Sequence, residues 1–251
     1  MRQGCGVVRR RSPFSVLARG VGWAGLALAI AFVGLVALYS VAPPVSTLML
    51  ARKIEGKSYQ RIVVRLEDVA PVAVASVIAS EDARFCQNDG VDWGALHDVL
   101  NGAGEGGPRR GASTITMQTA KNLFLWPGRS AVRKGVEIGM ALVLGKLWSK
   151  ARTIEIYLNI AEWGDGIFGV EAAARHYFHK SAGQLDPREA ALLATSLPNP
   201  LKRDPAHPSS LQRRLAIGVM ARVSGSPDLL SCLPEKDRSE ALRPAERLRP
   251  S

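Results

Sequence analysis

The chain has 251 residues, 47% of them hydrophobic and 22% charged, which allows one domain of ordinary size with a substantial core and excludes a wholly disordered chain. Lys and Arg number 33 against 22 Asp and Glu, a formal charge of +11, and that balance points to an anionic partner: nucleic acid, lipid headgroups or a phosphorylated substrate. Cysteine occurs only as Cys5, Cys86 and Cys232, the four histidines are scattered and no CxxC is present, so a zinc site is not expected.

Residues 1–20 form a basic tail with Arg2, Arg9, Arg10, Arg11 and Arg19 and no acid. Residues 21–41 read VGWAGLALAIAFVGLVALYSV without one charge. As a helix this stretch would run about 31 Å at about 1.5 Å per residue, the thickness of a hydrocarbon core. The positive-inside rule keeps the amino terminus cytoplasmic and exports the remainder. A cleaved signal peptide is the competing reading. The apolar run is longer than a typical signal core, and Val41-Ala42-Pro43-Pro44 offers no clean cleavage site. The exported part stays basic and faces a membrane surface, which favours a lipid or pyrophosphate partner; nucleic acid is not expected there. Cys5 falls on the reducing side. Cys86 and Cys232 fall on the oxidising side, where a disulfide tying the carboxy-terminal segment to the core is expected; the alternative is two unpaired thiols, with Cys86 as a small buried hydrophobe.

Residues 42–67 read as a polar, partly extended linker with a short strand at Ile62-Val63-Val64. Residues 68–225 follow as one mainly α domain. Its first helix, within residues 69–85, is rich in Ala, Val and Ile and ends on Glu81, Asp82 and Arg84. Residues 101–111 (NGAGEGGPRRG) are loaded with glycine and read as a mobile loop. Ser113 or Thr114 caps a helix to about Leu125, and Trp126-Pro127-Gly128 breaks it. Ser130 caps a long helix to about Ser149, and another spans residues 150–162 before the turn Gly164-Asp165-Gly166. A short alanine-rich helix covers residues 169–178. Asp186-Pro187-Arg188-Glu189 is a capping box with proline at the first helical position. Pro198-Asn199-Pro200 ends that helix, and an amphipathic one covers residues 209–223. Residues 226–251, rich in proline and charge, read as a disordered tail.

Three places carry groups suited to chemistry. Glu81 ends an apolar helix, and a carboxylate against apolar surface holds its proton more tightly, as a general base near neutrality requires; a solvated helix end is the plainer reading. Residues 111–122 (GASTITMQTAKN) put Thr114, Gln118 and Lys121 on one helix face behind a glycine. That face suits phosphate or sugar oxygens, and equally a capped surface helix. Arg133 and Glu137, four apart, are either a surface ion pair or a cation and second carboxylate in one cleft.

Together the segments are more specific. EDARF at residues 81–85 with GVDW at 90–93, GASTITMQTAKN at 111–122, RKGVE at 133–137, KARTIEIYLN at 150–159 and GVEAAARHYF at 169–178 resemble, in order, the motifs of the peptidoglycan glycosyltransferases, glycosyltransferase family 51. The resemblance spans roughly residues 69–208. It implies a lysozyme-like glycosyltransferase domain behind one N-terminal transmembrane helix, held in the cell inner membrane with the catalytic domain periplasmic. It also implies an inverting reaction that polymerises lipid II into β-1,4-linked strands and releases polyprenyl pyrophosphate. Glu81 and Glu137 become the catalytic carboxylates, Glu81 as base and Glu137 in the donor half. Ser113, Thr114, Gln118, Lys121, Asn122, Arg129 and Arg133 become substrate-binding residues, with Lys121, Arg129 and Arg133 on phosphate oxygens. Lipid II, the lipid-linked glycan strand and the inner membrane are the partners implied, and other cell-wall synthesis or division proteins are candidates. No cofactor is firmly implied; a divalent cation, Mg or Mn, is the candidate. The chain departs from the family pattern at Asn88, Ala112 and Met117, which bear on substrate positioning.

Rival readings are a lysozyme-type hydrolase, for which a pyrophosphate-suited set of cations has no use, and an inactive membrane-tethered scaffold, against which both glutamates weigh. A bifunctional penicillin-binding protein is not expected, since the chain ends early and holds neither Ser-x-x-Lys nor Lys-Thr-Gly.

Overall fold

The structure, a computed structural model, describes residues 13–101, 112–126, 128 and 130–235, which divide into two compact units, Met1–Ala42 and Pro43–Ser251. The first holds helix α1 (Pro13–Tyr39), whose stretch Arg19–Tyr39, with mean hydropathy 2.3, is long and apolar enough to cross a bilayer. The helix stops short of the full apolar run 21–41. At Ser40 the hydroxyl donates to Ala37 O at 2.6 Å, a side-chain bond that competes with the helical ladder.

The second unit begins earlier than the sequence pattern suggests. Helix α2 (Thr47–Ile54) lies inside the stretch read as a linker, capped by Ser46, whose hydroxyl accepts the Met49 N–H at 3.2 Å. Met49 is fully buried, and Thr47 Oγ1 donates to Asn122 O and Leu125 O at 3.1 and 2.8 Å. Those partners stand more than 70 residues away, so nothing local in residues 42–67 announces the helix. The strand expected at 62–64 sits instead at β1 (Gln60–Arg61).

Helix α3 (Pro71–Glu81) starts with proline at its first turn and buries every residue from Ala73 to Ala79. A helix apolar all round belongs at the centre of a domain, and this one does. After it come α4 (Trp93–Leu100), capped by Asp92, and α5 (Ile115–Phe124), capped by Thr114. Ser130 caps α6 (Ala131–Leu147), and Ser149 caps α7 (Lys150–Ile160). Three short strands close a small sheet, of which the sequence pattern indicates only the one near residues 62–64. β3 (Ile167–Phe168) pairs parallel with β1 and antiparallel with β2 (Glu162–Gly164), and Gly164-Asp165-Gly166 forms the hairpin. Then follow α8 (Val170–Phe178), α9 (Pro187–Ser196), opened by the Asp186/Glu189 capping box, and α10 (Ser210–Gly225), capped by Ser209. Helix α3 packs against both α9 and α10, which also pack against each other, and α5 packs against α6 and α7.

The segment after residue 225 is not a free tail. Pro227–Leu230 forms a 3-10 turn, and Leu229, Leu230 and Leu233 are buried in the same core as α3. Cys86 and Cys232 form a disulfide, with Cα atoms 5.2 Å apart. Three buried leucines and the bridge outweigh the segment's proline and charge, so residues 226–235 belong to the domain. Residues 236–251 lie outside the described residues, as does the glycine-rich loop beyond Asn101 up to Gly111.

Candidate active site

The burial of α3 sets the chemistry of its last residue. Glu81 emerges half-buried where the apolar helix ends, and burial raises its affinity for a proton above that of an ordinary carboxylate. Hydrogen bonds from Gln118 Nε2 to Oε2 (3.0 Å) and from Ser80 Oγ to Oε1 (3.2 Å) act the other way. The positive charges of Lys121 and Arg203 also oppose the rise. A solvated helix end does not describe this residue.

Its neighbour Asp82 turns inward. It accepts the Ile115 N–H at 3.0 Å and Asn88 Nδ2 at 3.1 Å, and burial raises its pKa as well. Asn88 Oδ1 in turn accepts the Gly90 N–H, while Lys150 Nζ donates to the Asn88 carbonyl at 2.6 Å and lies over the Phe85 ring. Asn88 thus supplies, with its amide, both the donor and the acceptor that hold this turn. Gly90 is there of necessity: its φ is +104°, and a Cβ would stand 2.5 Å from Ala141 O.

Among the predicted substrate-binding residues, Thr114 is committed to the fold. Its hydroxyl donates to Gly90 O at 2.6 Å and accepts the Met117 N–H at 3.1 Å, leaving it buried and used. Gln118 faces Glu81 on one side and Tyr157 on the other. Lys121, three residues on along α5, is partly buried; among the described residues its ammonium makes no hydrogen bond or ion pair. Burial lowers its pKa, Glu137 and Glu81 raise it, and Arg133 and Lys134 lower it, so Lys121 feels both carboxylates. Asn122 is partly buried at the end of α5, where its carbonyl receives Thr47.

Glu137 and Arg133 are not a surface pair. Glu137 is 1% exposed, and its Oε1 accepts Lys134 Nζ at 2.6 Å and Ser113 Oγ at 3.3 Å. Arg133 Nη1 stands 3.5 Å from Oε2, and its buried Nε has no partner among the described residues. Lys134 Nζ also donates to Ser113 Oγ at 2.6 Å, which ties residue 113 to α6. Arg129 lies outside the described residues.

Two cations and a hydroxyl already surround the Glu137 carboxylate, and the described residues hold no group of three or more His, Cys, Asp or Glu arranged as ligands. The arrangement sets Lys121, Arg133 and Lys134 near the Glu137 carboxylate, with a proton-avid Glu81 on the other side of Lys121, a pattern whose chemistry suits an anionic ligand. Tyr157, Lys134 and Arg203 were not singled out as site residues from the sequence. Tyr157 and Lys134 stand inside recognised motifs. Arg203 follows α9, with Nη1 donating to the Thr195 carbonyl, and only the folded chain brings its charge near Glu81.

Known proteins resemble this chain along most of its length. The transglycosylase family model matches residues 48–222, which takes in α2 as part of the domain. The biosynthetic peptidoglycan transglycosylase of Brucella suis biovar 1 (strain 1330) is 52% identical over 208 residues, covering 82% of this chain and 93% of that protein. Proteins of the same name from Rhizobium meliloti (strain 1021) and Agrobacterium fabrum (strain C58 / ATCC 33970) are 49% and 48% identical over 225 and 222 residues, or 90% and 88% of this chain and 92% and 98% of theirs. With a matching domain of that length and relatives at half identity along most of its sequence, the chain belongs to the transglycosylase family.

Proposed function

We propose that this chain is a peptidoglycan glycosyltransferase that polymerises lipid II into glycan strands from a membrane-anchored position. The observation that carries the proposal is the placement of the Lys121 ammonium, unpartnered among the described residues, within the field of both Glu81 and Glu137. A cation so held suits an anionic leaving group, and the proton-avid Glu81 suits an attacking hydroxyl. The 4-hydroxyl oxygen of the acceptor sugar attacks the anomeric carbon of the lipid-linked donor while Glu81 takes its proton. The bond from that carbon to the pyrophosphate oxygen breaks, and the electron pair leaves with the lipid pyrophosphate. Lys121 and Arg133, with Arg129, offset the charge that develops there. One displacement inverts the anomeric centre from α to β and needs no covalent enzyme intermediate. Glu137 holds Lys134 and Arg133 in place around the donor.

The α1 span would anchor the chain in the inner membrane, with the five arginines ahead of residue 21 keeping the amino terminus cytoplasmic and the catalytic unit periplasmic. Confinement with lipid-linked substrates raises their effective concentration. The deciding experiment incubates purified protein with labelled lipid II and separates the products on a gel. A ladder of strands from the wild type that Glu81→Gln reduces by about 10² to 10⁴ in rate is expected. Cleavage of preformed strands without extension, or full activity in Glu81→Gln, overturns the assignment.

A further inference from the structure

We propose that the Tyr157 hydroxyl is a positioning group that fixes Gln118 as a hydrogen-bond donor to Glu81 and so keeps Glu81 ready as a base. The inference rests on the reading of Glu81 as the base.

Tyr157 lies on α7 and is 1% exposed, so it cannot touch a substrate. Its hydroxyl donates to Gln118 Oε1 at 3.0 Å, and Gln118 Nε2 donates to Glu81 Oε2 at 3.0 Å. A glutamine amide presents an acceptor at one end and a donor at the other, and half a turn about its last bond exchanges them. An ionised carboxylate only accepts, so the base form of Glu81 requires the NH2 end. With the amide reversed, its carbonyl would face the carboxylate, and Glu81 would be driven to keep its proton.

The phenol opposes that reversal. Among the described residues the Tyr157 hydroxyl has one polar partner, the Gln118 amide. A buried O–H must donate somewhere or remain unsatisfied, and among the described residues the acceptor it uses is the amide oxygen. Burial, with the negative charges of Glu81 and Asp82, holds the phenol protonated well beyond its ordinary range, so it stays a donor wherever the enzyme works. The polarity therefore runs one way, from the Tyr157 O–H to the Gln118 carbonyl and from the Gln118 amide to Glu81. The other groups facing Glu81 are the Ser80 hydroxyl of its own helix, Lys121 from α5 and Arg203 beyond α9. Gln118 is the neutral donor among them whose direction depends on a third residue.

The test is the pH dependence of kcat/KM for lipid II polymerisation by the full chain, in the wild type, Tyr157→Phe, Gln118→Ala and the double variant. The acid limb reports the free enzyme's base. Loss of an aligned donor to a carboxylate raises its pKa, and the limb of Tyr157→Phe is expected about one unit higher in pH with the melting temperature held. On the Gln118→Ala background the same substitution adds no further shift, because Tyr157 acts only through the amide. A limb that does not move in Tyr157→Phe, or a shift that persists without Gln118, overturns the proposal. Should Tyr157→Phe fail to fold, 3-fluorotyrosine at position 157 keeps the ring and makes the hydroxyl a stronger donor. It must move the limb to lower pH, and an unmoved limb again overturns the proposal. Glu81→Gln separates the two failures: full activity there removes the base itself, whereas an inactive Glu81→Gln with an unmoved Tyr157→Phe limb removes only Tyr157.

Discussion

The Asp82 carboxylate accepts the backbone N–H of Ile115 at 3.0 Å, at the first residue of α5. Two consecutive acids at the end of α3 therefore grip α5 at two levels, Asp82 at its first turn and Glu81 at Gln118 one turn further along. The contact at the helix start satisfies an orphan donor and places negative charge at the positive end of the helix dipole. Lys121 and Gln118 inherit their positions from it.

Replacing Asp82 by Asn should therefore act on the fold before it acts on chemistry. The amide reaches Ile115 with one oxygen but sets its NH2 against Asn88 Nδ2, which also donates. A loss of about 1–3 kcal/mol is expected, the range for a buried charged hydrogen bond disrupted on one side. Denaturant melts of Asp82→Asn and Asn88→Ala and of the double variant check it. Strictly additive losses would sink the idea of a shared network.

Glu81 should destabilise the fold in the form that catalyses. Burial raises its folded-state pKa above the ordinary 4.5, so the folded chain holds the proton more tightly than the unfolded one. The stability this contributes is full below 4.5 and is lost as pH rises through the folded value. At about pH 7.5 the ionised Glu81 is a cost, and Glu81→Gln should melt at a higher temperature than the wild type. The gain should vanish below 4.5. An equal or lower melting temperature at the higher pH would show that Lys121, Arg203 and Gln118 fully compensate the burial.

The helices that carry a cap or a breaker in their own residues were legible because those signals are local. Thr114, Ser130 and the Asp186/Glu189 box each cap the helix that their residue types announce. Where the fold rests on distant partners, local pattern failed. Helix α2 is held by carbonyls of Asn122 and Leu125, and the segment at Leu229–Leu233 by a core built some 150 residues earlier. The site shows the same division. Glu81, Lys121 and Glu137 stand in motifs, but the burial of Glu137 and the charge that Arg203 adds near Glu81 exist only in the folded chain. Within the apolar stretch at 123–126, likewise, only the folded chain separates Leu123 and Leu125, which are core, from Trp126, which is 62% exposed.

Glu137→Gln should cost stability as well as turnover. The carboxylate is the shared counter-charge of Lys134 and Arg133, and its removal leaves two cations facing each other at a buried position. A loss of about 1–3 kcal/mol is expected, below the full cost of a stranded buried charge because Lys134 reaches solvent. Adding Lys134→Met should recover part of it. Thermal melts of the single and double variants decide, and a double variant less stable than Glu137→Gln alone would contradict the pairing.

The disulfide should matter more for holding the first motif than its distance from α5 suggests. Cys86 stands one residue past EDARF, in the turn that carries Asn88 and Gly90, and Cys232 belongs to the segment that covers α3 with Leu229, Leu230 and Leu233. The bridge spans 146 residues of sequence. A loop that long gives about 5 kcal/mol in the chain-entropy account, a ceiling that native strain and a compact unfolded chain bring toward the typical 2–4. Cys232→Ser should lower the stability of the full chain by about 2–4 kcal/mol in guanidinium chloride melts of protein matured in an oxidising compartment. Dithiothreitol should bring the wild type to the same midpoint and leave Cys232→Ser unmoved. A wild type indifferent to reductant, with two exported thiols open to alkylation, would mean that the bridge does not form and that the leucines alone hold the segment.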